Sequence, residues 1–211
     1  MNKSQLTNFI TKYTLGGEIK STKWTSDGNS LSTRFISGDK SVVGKVELNK
    51  FSHLKPCELG VYNTGQLTSL LSVLGDDVEV NLSQSGDKFI SMELEDTKRK
   101  TKSKYMLSDL SVIPTPPELK NLPDSFELGI KVDPYFVSTF ISGKGALSEA
   151  ETFTILTENG ETKIVIGYAS IASNRVTIPV ETTKGGEIEP ISFNANMFAS
   201  ILNANKDCES A

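Results

Sequence analysis

Apolar residues recur at helical spacing in four short stretches of the chain. In Leu59 to Asp77, LGVYNTGQLTSLLSVLGDD, the residues Leu67, Leu70, Leu71 and Leu74 fall at i, i+3, i+4 and i+7, which places them on one helical stripe. Asn63 or Thr64 supplies the N-cap, and Gly75 followed by Asp76 and Asp77 ends the helix. The opposite face, Gln66, Thr68, Ser69 and Ser72, is polar and uncharged. Ile191 to Asn205 repeats the design, with Phe198, Ile201 and Leu202 on the stripe and Asn196, Ser200 and Asn203 opposite. Leu6, Phe9, Ile10 and Tyr13 mark another helix, stopped by Gly16-Gly17. The last begins at Asp133-Pro134, with proline at the first helical position, and turns Phe136, Val137, Phe140 and Ile141 towards a core.

Between these helices the pattern is that of strands. Glu18 to Trp24, Ser30 to Ser37, Ser41 to Asn49 and Glu58 to Tyr62 follow the first helix, with turns at Asp27-Gly28 and Gly38-Asp39. Val78 to Ser83, Lys88 to Glu95 and Lys104 to Leu110 follow the Leu67 helix. The stretch 112–124, VIPTPPELKNLPD, holds four of the eight prolines and reads as a semi-rigid extended connector. Beyond it the programme begins again. Strands are predicted at Ser125 to Val132, Thr152 to Thr157, Thr162 to Ala169, Asn174 to Thr182 and Glu187 to Phe193, with Asn159-Gly160 as a strong hairpin signal. Phe9 and Phe140, and likewise Leu67 and Met197, are separated by about 130 residues, so an internal duplication is the simplest account. The expected fold class is α+β: two tandem repeats, each of two helices on antiparallel sheet, with residues 1–111 as the first, 112–124 as the connector and 125–211 as the second. The second repeat lacks counterparts to the three strands that follow the Leu67 helix. Either the sequence is truncated there, or another chain completes the sheet.

Composition narrows the function more by exclusion than by assertion. The 211 residues are 37% hydrophobic and 23% charged, ordinary for a globular protein. No apolar run approaches a membrane span, and MNKSQLTNF lacks the apolar segment of a signal peptide, so a cytoplasmic protein with no membrane partner is expected. Cys57 and Cys208 fit neither a disulfide framework nor a metal site and read as free thiols. There is no phosphate-cradling glycine loop, no Gly-x-Ser-x-Gly and no histidine-based metal pattern. No catalytic residue, metal or cofactor is therefore expected. Glu187 and Glu189 alternate on a strand and read as a solvated edge. His53, the only histidine, reads as a loop residue, and Trp24 and Phe35 read as packing residues rather than a base-stacking platform.

Charge placement carries the positive signal. The formal charge is −4, with 26 acidic residues. Chance would put about seven of them in the four helical windows 3–15, 63–75, 134–147 and 192–206, yet none is there. Lys3, Lys12, Lys144 and Lys206 are present, and the other outward positions are mostly Ser, Thr, Asn and Gln. A solvated amphipathic helix ordinarily carries charge of both signs. Helices without carboxylates suit a surface that faces an anion through loose, sequence-independent contacts.

The order of these elements resembles the DNA sliding clamps, the family of proliferating cell nuclear antigen and of the clamps of tailed phages. The resemblance rests on LGVYNTGQLTSLLSVLGDDVEV (Leu59 to Val80), KYMLSDLSVIPTPPEL (Lys104 to Leu119) and FVSTFISGKGALSE (Phe136 to Glu149). Shortness and the LLSVLGDD stretch place it nearest the phage branch. The resemblance implies a non-enzymatic homotrimeric ring around duplex DNA that tethers a DNA polymerase after a clamp loader ATPase opens it, in the host cell cytoplasm if the protein is viral. It departs at the C-terminus, where the family's last strands have no counterpart.

Two groups of candidate residues follow. Lys3, Lys12, Lys144 and Lys206 are expected on the DNA-facing helices, and Lys98, Arg99, Lys100 and Lys102 in the basic run TKRKTKSK are candidates for phosphate contact or, alternatively, a solvated hairpin tip. Ile113, Pro114, Pro116, Leu119 and Leu122 either edge a groove for partner peptides or simply tether the repeats. The competing reading of the whole chain is a non-enzymatic, β-rich structural protein of a phage virion, its duplication serving assembly alone.

Overall fold

The four stretches with helical spacing fold as helices in the computed structural model, which describes residues 1–118, 126–169, 171 and 173–206. They are α1 (Lys3–Thr14), α2 (Thr64–Ser72), α3 (Pro134–Ala146) and α4 (Ala195–Ala204). Each starts at a side chain that accepts a hydrogen bond from an otherwise unpaired amide of the first turn. Asn2 accepts from Ser4 N, Asn63 from Gln66 N, Asp133 from Phe136 N and Asn194 from Met197 N. The caps of α1 and α3 are 131 positions apart (133 minus 2), and so are those of α2 and α4 (194 minus 63). The duplication is thus in register at the residues that start the helices.

The chain divides into two units, Met1–Leu119 and Lys120–Ala211. In the first, β1 (Thr22–Ser26), β2 (Leu31–Ile36), β3 (Val43–Leu48) and β4 (Cys57–Val61) form an antiparallel sheet in the order β3-β2-β1-β4. A separate meander, β5 (Val78–Ser85), β6 (Lys88–Asp96) and β7 (Lys102–Met106), follows α2. Alternation along β2 buries Leu31, Thr33 and Phe35 on one face, as a half-buried strand requires. That face meets α1 through Leu6, Phe9, Ile10 and Tyr13. Phe9 packs edge-on to both Tyr13 and Trp24, and the Trp24 indole donates to the Tyr13 hydroxyl at 3.2 Å. Burial pushes the Tyr13 hydroxyl well above its usual range, so it stays protonated and available as a donor.

In the second unit β9 (Thr152–Glu158), β10 (Glu161–Ile166), β11 (Val176–Pro179) and β13 (Ile191–Asn194) form a sheet in the order β11-β10-β9-β13. Taken in chain order this is again third, second, first, fourth. Phe136 and Phe140 of α3 and Phe153 of β9 fill its core together with Phe198 of α4, and Phe140 has no exposed surface.

Several strand boundaries differ from the sequence reading. The expected Ser125 to Val132 strand is only β8 (Gly129–Ile130). Asn174 to Thr182 is interrupted at Pro179 and gives β11 and a separate β12 (Thr182–Lys184), which pairs with β8. Lys104 to Leu110 is likewise shorter: β7 ends at Met106 and a 3-10 turn, Leu110–Val112, follows. α3 runs from Pro134 to Ala146, close to the helical window 134–147.

Candidate nucleic-acid interface

None of the segments Lys3–Thr14, Thr64–Ser72, Pro134–Ala146 and Ala195–Ala204 contains an aspartate or glutamate. The outward faces of α1, α2 and α4 are polar. On α1 these are Ser4, Gln5, Asn8 and Thr11, on α2 Gln66, Thr68, Ser69 and Ser72, and on α4 Asn196 and Asn203, all exposed. Many hydroxyls donate back to their own helix: Thr11 to Thr7 O, Thr68 to Thr64 O, Ser69 to Gly65 O and Ser138 to Tyr135 O. Such bonds spend the hydroxyl proton locally and turn oxygen lone pairs outward.

The helix lysines are less available than the sequence suggests. Lys3 is half-buried, and its ammonium donates to Leu74 O, a carbonyl just past α2, at 2.5 Å. Lys12 is half-buried on the last turn of α1. Lys144 is nearly buried. Its side chain is 9% exposed and its ammonium donates to Ser148 O at 2.8 Å. The expectation that it faces DNA is corrected by its position: 136, 140 and 144 are spaced i, i+4, i+8, so Lys144 continues the stripe of Phe136 and Phe140. Its position 131 residues earlier is Tyr13, also buried. Lys206, just beyond α4, is exposed.

The basic run forms the turn between β6 and β7. Its lysines lie against carboxylates of the same meander: Lys98 with Asp77 at 2.7 Å, Lys100 with Glu95 at 3.7 Å and Lys102 with Glu95 at 2.9 Å. Lys104 pairs with Glu93 at 3.3 Å. The lysines of these pairs are exposed, so the pairs contribute little stability, and three carboxylates against five cations reduce the positive charge of the run without cancelling it. Arg99 is exposed at the tip, its backbone amide held by Asp96.

Asp96 is the hinge of this turn. Its carboxylate accepts from the amides of Arg99, Lys98 and Gly75, so one buried side chain joins the β6–β7 turn to the end of α2. Gly75 is required there because a Cβ would overlap the Asp96 carboxylate. The Arg99 amide above all, with those of Lys98 and Gly75, holds the acid below its ordinary 3.8, against a burial effect of opposite sign. A folded-state value below the unfolded one stabilises the fold above the unfolded value and is lost as pH falls through the folded one. Asp96→Asn should therefore lower the urea midpoint near neutrality and flatten its decline below about pH 4 relative to wild type. Parallel curves for the two proteins down to acid pH would refute the assignment.

The predicted groove residues divide. Ile113 is 3% exposed and packs where β4 passes, beside Gly60, and Pro116 is buried too. Their side chains belong to the first unit's interior, so as groove-lining residues they are corrected. Pro114 is exposed, and Lys23 donates to Thr115 at 2.9 Å, pinning the start of the connector. Leu119 and Leu122 lie outside the described residues. The exposed apolar side chains of this region are Ile90, Met106 and Val112, which the sequence pattern did not single out. In the second unit a groove of about 690 Å³ opens between α3 and α4, walled by Val137, Ile141, Phe198 and Ile201. Leu6 and Ile10, the positions 131 residues before Val137 and Ile141, are by contrast almost fully buried.

Among the described residues no cluster of three or more His, Cys, Asp or Glu could hold a metal ion, and no helix is long and apolar enough to cross a membrane. No protein-family model and no curated protein matches the sequence. The solved structures do supply a match: the crystal structure of PCNA from Thermococcus kodakaraensis, with a TM-score of 0.71 over all of this chain and 85% of that one. The chain has a PCNA-like clamp fold. Identity to that PCNA is 12%, so the likeness is one of architecture alone, here four helices and antiparallel sheets.

Proposed function

We propose that the protein is a DNA polymerase processivity factor, a ring of three copies that encircles duplex DNA and holds a polymerase to its template. The reading is carried by one observation: within a PCNA-like fold, every described α-helix excludes carboxylates although the chain as a whole is acidic. A helix-lined passage would then leave phosphate unrepelled, while the acids sit on strands and loops, where they discourage DNA from other surfaces. The protein itself performs no chemistry in this reading. A clamp loader ATPase opens the ring, the polymerase docks near the start of the connector, where Met106 and Val112 offer apolar contact, and the site of action is the cytoplasm, of a bacterial host if the protein belongs to a phage.

The first test is solution mass by light scattering across a concentration series, where a value near three times 23.0 kDa is expected. The second is retention on DNA. Protein loaded on a nicked circular plasmid should remain through gel filtration and be released when the plasmid is cut once. Equal retention on circular and linear DNA, or a monomer at every concentration, would sink the proposal.

A further inference from the structure

The outward face of the β3-β2-β1-β4 sheet carries three cations side by side. Lys23 of β1 lies directly opposite Arg34 of β2, and Arg34 directly opposite Lys45 of β3. They share the face turned away from α1, since Trp24, Thr33 and Phe35, which alternate with them, are buried. The row spans two strand spacings, about 9.5 Å, and ends on β4 at Gly60, where Ser108 and Ile113 close it. Like charges directly opposite in a sheet repel and cost stability. Among the described residues only Lys45 has a carboxylate partner, Glu47 of its own strand at 2.7 Å. Lys23 donates to the neutral Thr115 at 2.9 Å, and the Arg34 guanidinium has no partner among the described residues. The fold does not require this row. In the second unit the same place is taken by Thr154, Val165 and Thr177, paired in turn, the first two 131 positions after Lys23 and Arg34. Thr154 and Val165 are uncharged and buried.

We propose that this row is a docking site for a short acidic segment of a partner protein, with Arg34 at its centre holding a carboxylate through its planar fork. Carboxylates on alternate residues of an extended segment stand about 6.8 Å apart, so two of them fit across the row. A partner of this kind turns the repulsion among the three cations into attraction. The adjoining row on the same face, Glu47, Ser32, Thr25 and Glu58, decides between an acidic peptide and nucleic acid. A continuous phosphate backbone crossing the sheet would meet Glu47 and Glu58, whereas a short peptide confined to the cations would not. The site does not depend on ring formation, and a single copy of the chain carries all of it.

The measurement is fluorescence anisotropy of the full-length protein with a dye-labelled peptide of four alternating glutamates and serines, at low salt. The same peptide with glutamine for glutamate should bind at least about tenfold more weakly, the loss expected when charge-assisted hydrogen bonds are removed. Arg34→Gln should weaken the glutamate peptide by a similar factor, and Arg34→Lys should recover only part, because lysine keeps the charge and loses the fork. Arg99→Gln, at the exposed tip of the β6–β7 turn, should leave binding unchanged. Arg34→Gln should also melt no lower than wild type, since it relieves cross-strand repulsion. Equal binding of the two peptides, or wild-type affinity in Arg34→Gln, would overturn the proposal. So would an Arg99→Gln loss as large as that of Arg34→Gln, which would make the attraction one of diffuse charge. A melting temperature several degrees lower in Arg34→Gln would give Arg34 a structural role and remove the reason for a partner. A 30-base-pair duplex that binds more tightly than the peptide, and loses that binding in Arg34→Gln, would make the row a phosphate surface and sink the proposal. The clamp reading is judged separately, by the circular-plasmid experiment, and either can fail while the other stands.

Discussion

Phe140→Ala is expected to cost the second unit about 3–5 kcal/mol, the range for removing a fully buried phenylalanine. Calorimetry should show that unit melting about 15 °C lower or more, since each kcal/mol moves a domain of this size by several degrees. The reason is position. Phe140 has no exposed surface, meets Phe153 and Phe198 edge-to-face at centroid distances of 5.2 and 4.9 Å, and also packs near Phe136. Truncation removes the ring that three others lean on, and the backbone of α3, fixed by its Asp133 cap and by β-sheet beneath, has little freedom to close the void. Phe140→Leu should recover most of the loss because it refills much of the volume. A melting temperature within a few degrees of wild type for Phe140→Ala would mean that the four-ring cluster is not the centre of this core.

Gly60→Ala should be the most damaging conservative change in the first unit. A Cβ there would run into the Ser108 carbonyl oxygen, a backbone atom that cannot rotate away, with Ile113 close behind. The Ser108 amide in turn donates to Gly60 O at 2.9 Å, so β4 and the segment leading to the connector meet backbone to backbone. Overpacking of this kind costs about 1–3 kcal/mol. It should also speed hydrogen exchange at the Ser108 amide well beyond what the global loss explains, because the segment must lift to make room. Ser108 exchange tracking the global stability alone would show that the strand absorbs the methyl elsewhere. If polymerase docks near Val112, the same variant should lose polymerase stimulation while keeping its solution mass.

The helices were legible because their signals are local. Leu67 and Leu71, Phe9 and Tyr13 sit at spacings that a helix brings to one face, and Asn63 and Asp133-Pro134 announce their caps within three residues. Hairpins at Asp27-Gly28 and Asn159-Gly160 were legible for the same reason, since turn chemistry is carried by two residues. The candidate interface was less so. The fate of Lys144 was written in its i+4 spacing from Phe140, but a lysine is read as solvent-facing until the stripe is followed to its end. The pairing of Lys102 with Glu95, and of Lys104 with Glu93, depends on the β6–β7 register, which a charge count along the chain does not contain. Ile113 and Pro116 looked like groove residues because prolines make a segment extended. Whether an extended segment lies open or packed depends on a distant partner, here Gly60. Such long-range relations were out of reach of pattern alone.

The shared sheet order bears on how the chain reaches this fold as it is synthesised. In each unit the second strand joins the first by a short turn and can pair with it within microseconds of leaving the ribosome. The fourth cannot: Thr22 of β1 awaits Val61, and Thr154 of β9 awaits Ser192, 38 residues on. Until then β1 and β9 each present an open edge beside exposed apolar rings such as Trp24 and Phe153. Closing the loop is the entropic toll of the topology, and that interval is when a nascent chain would stick to its neighbours. The protein should therefore show its need for chaperones early in the life of each unit, and should lose it when β4 or β13 arrives.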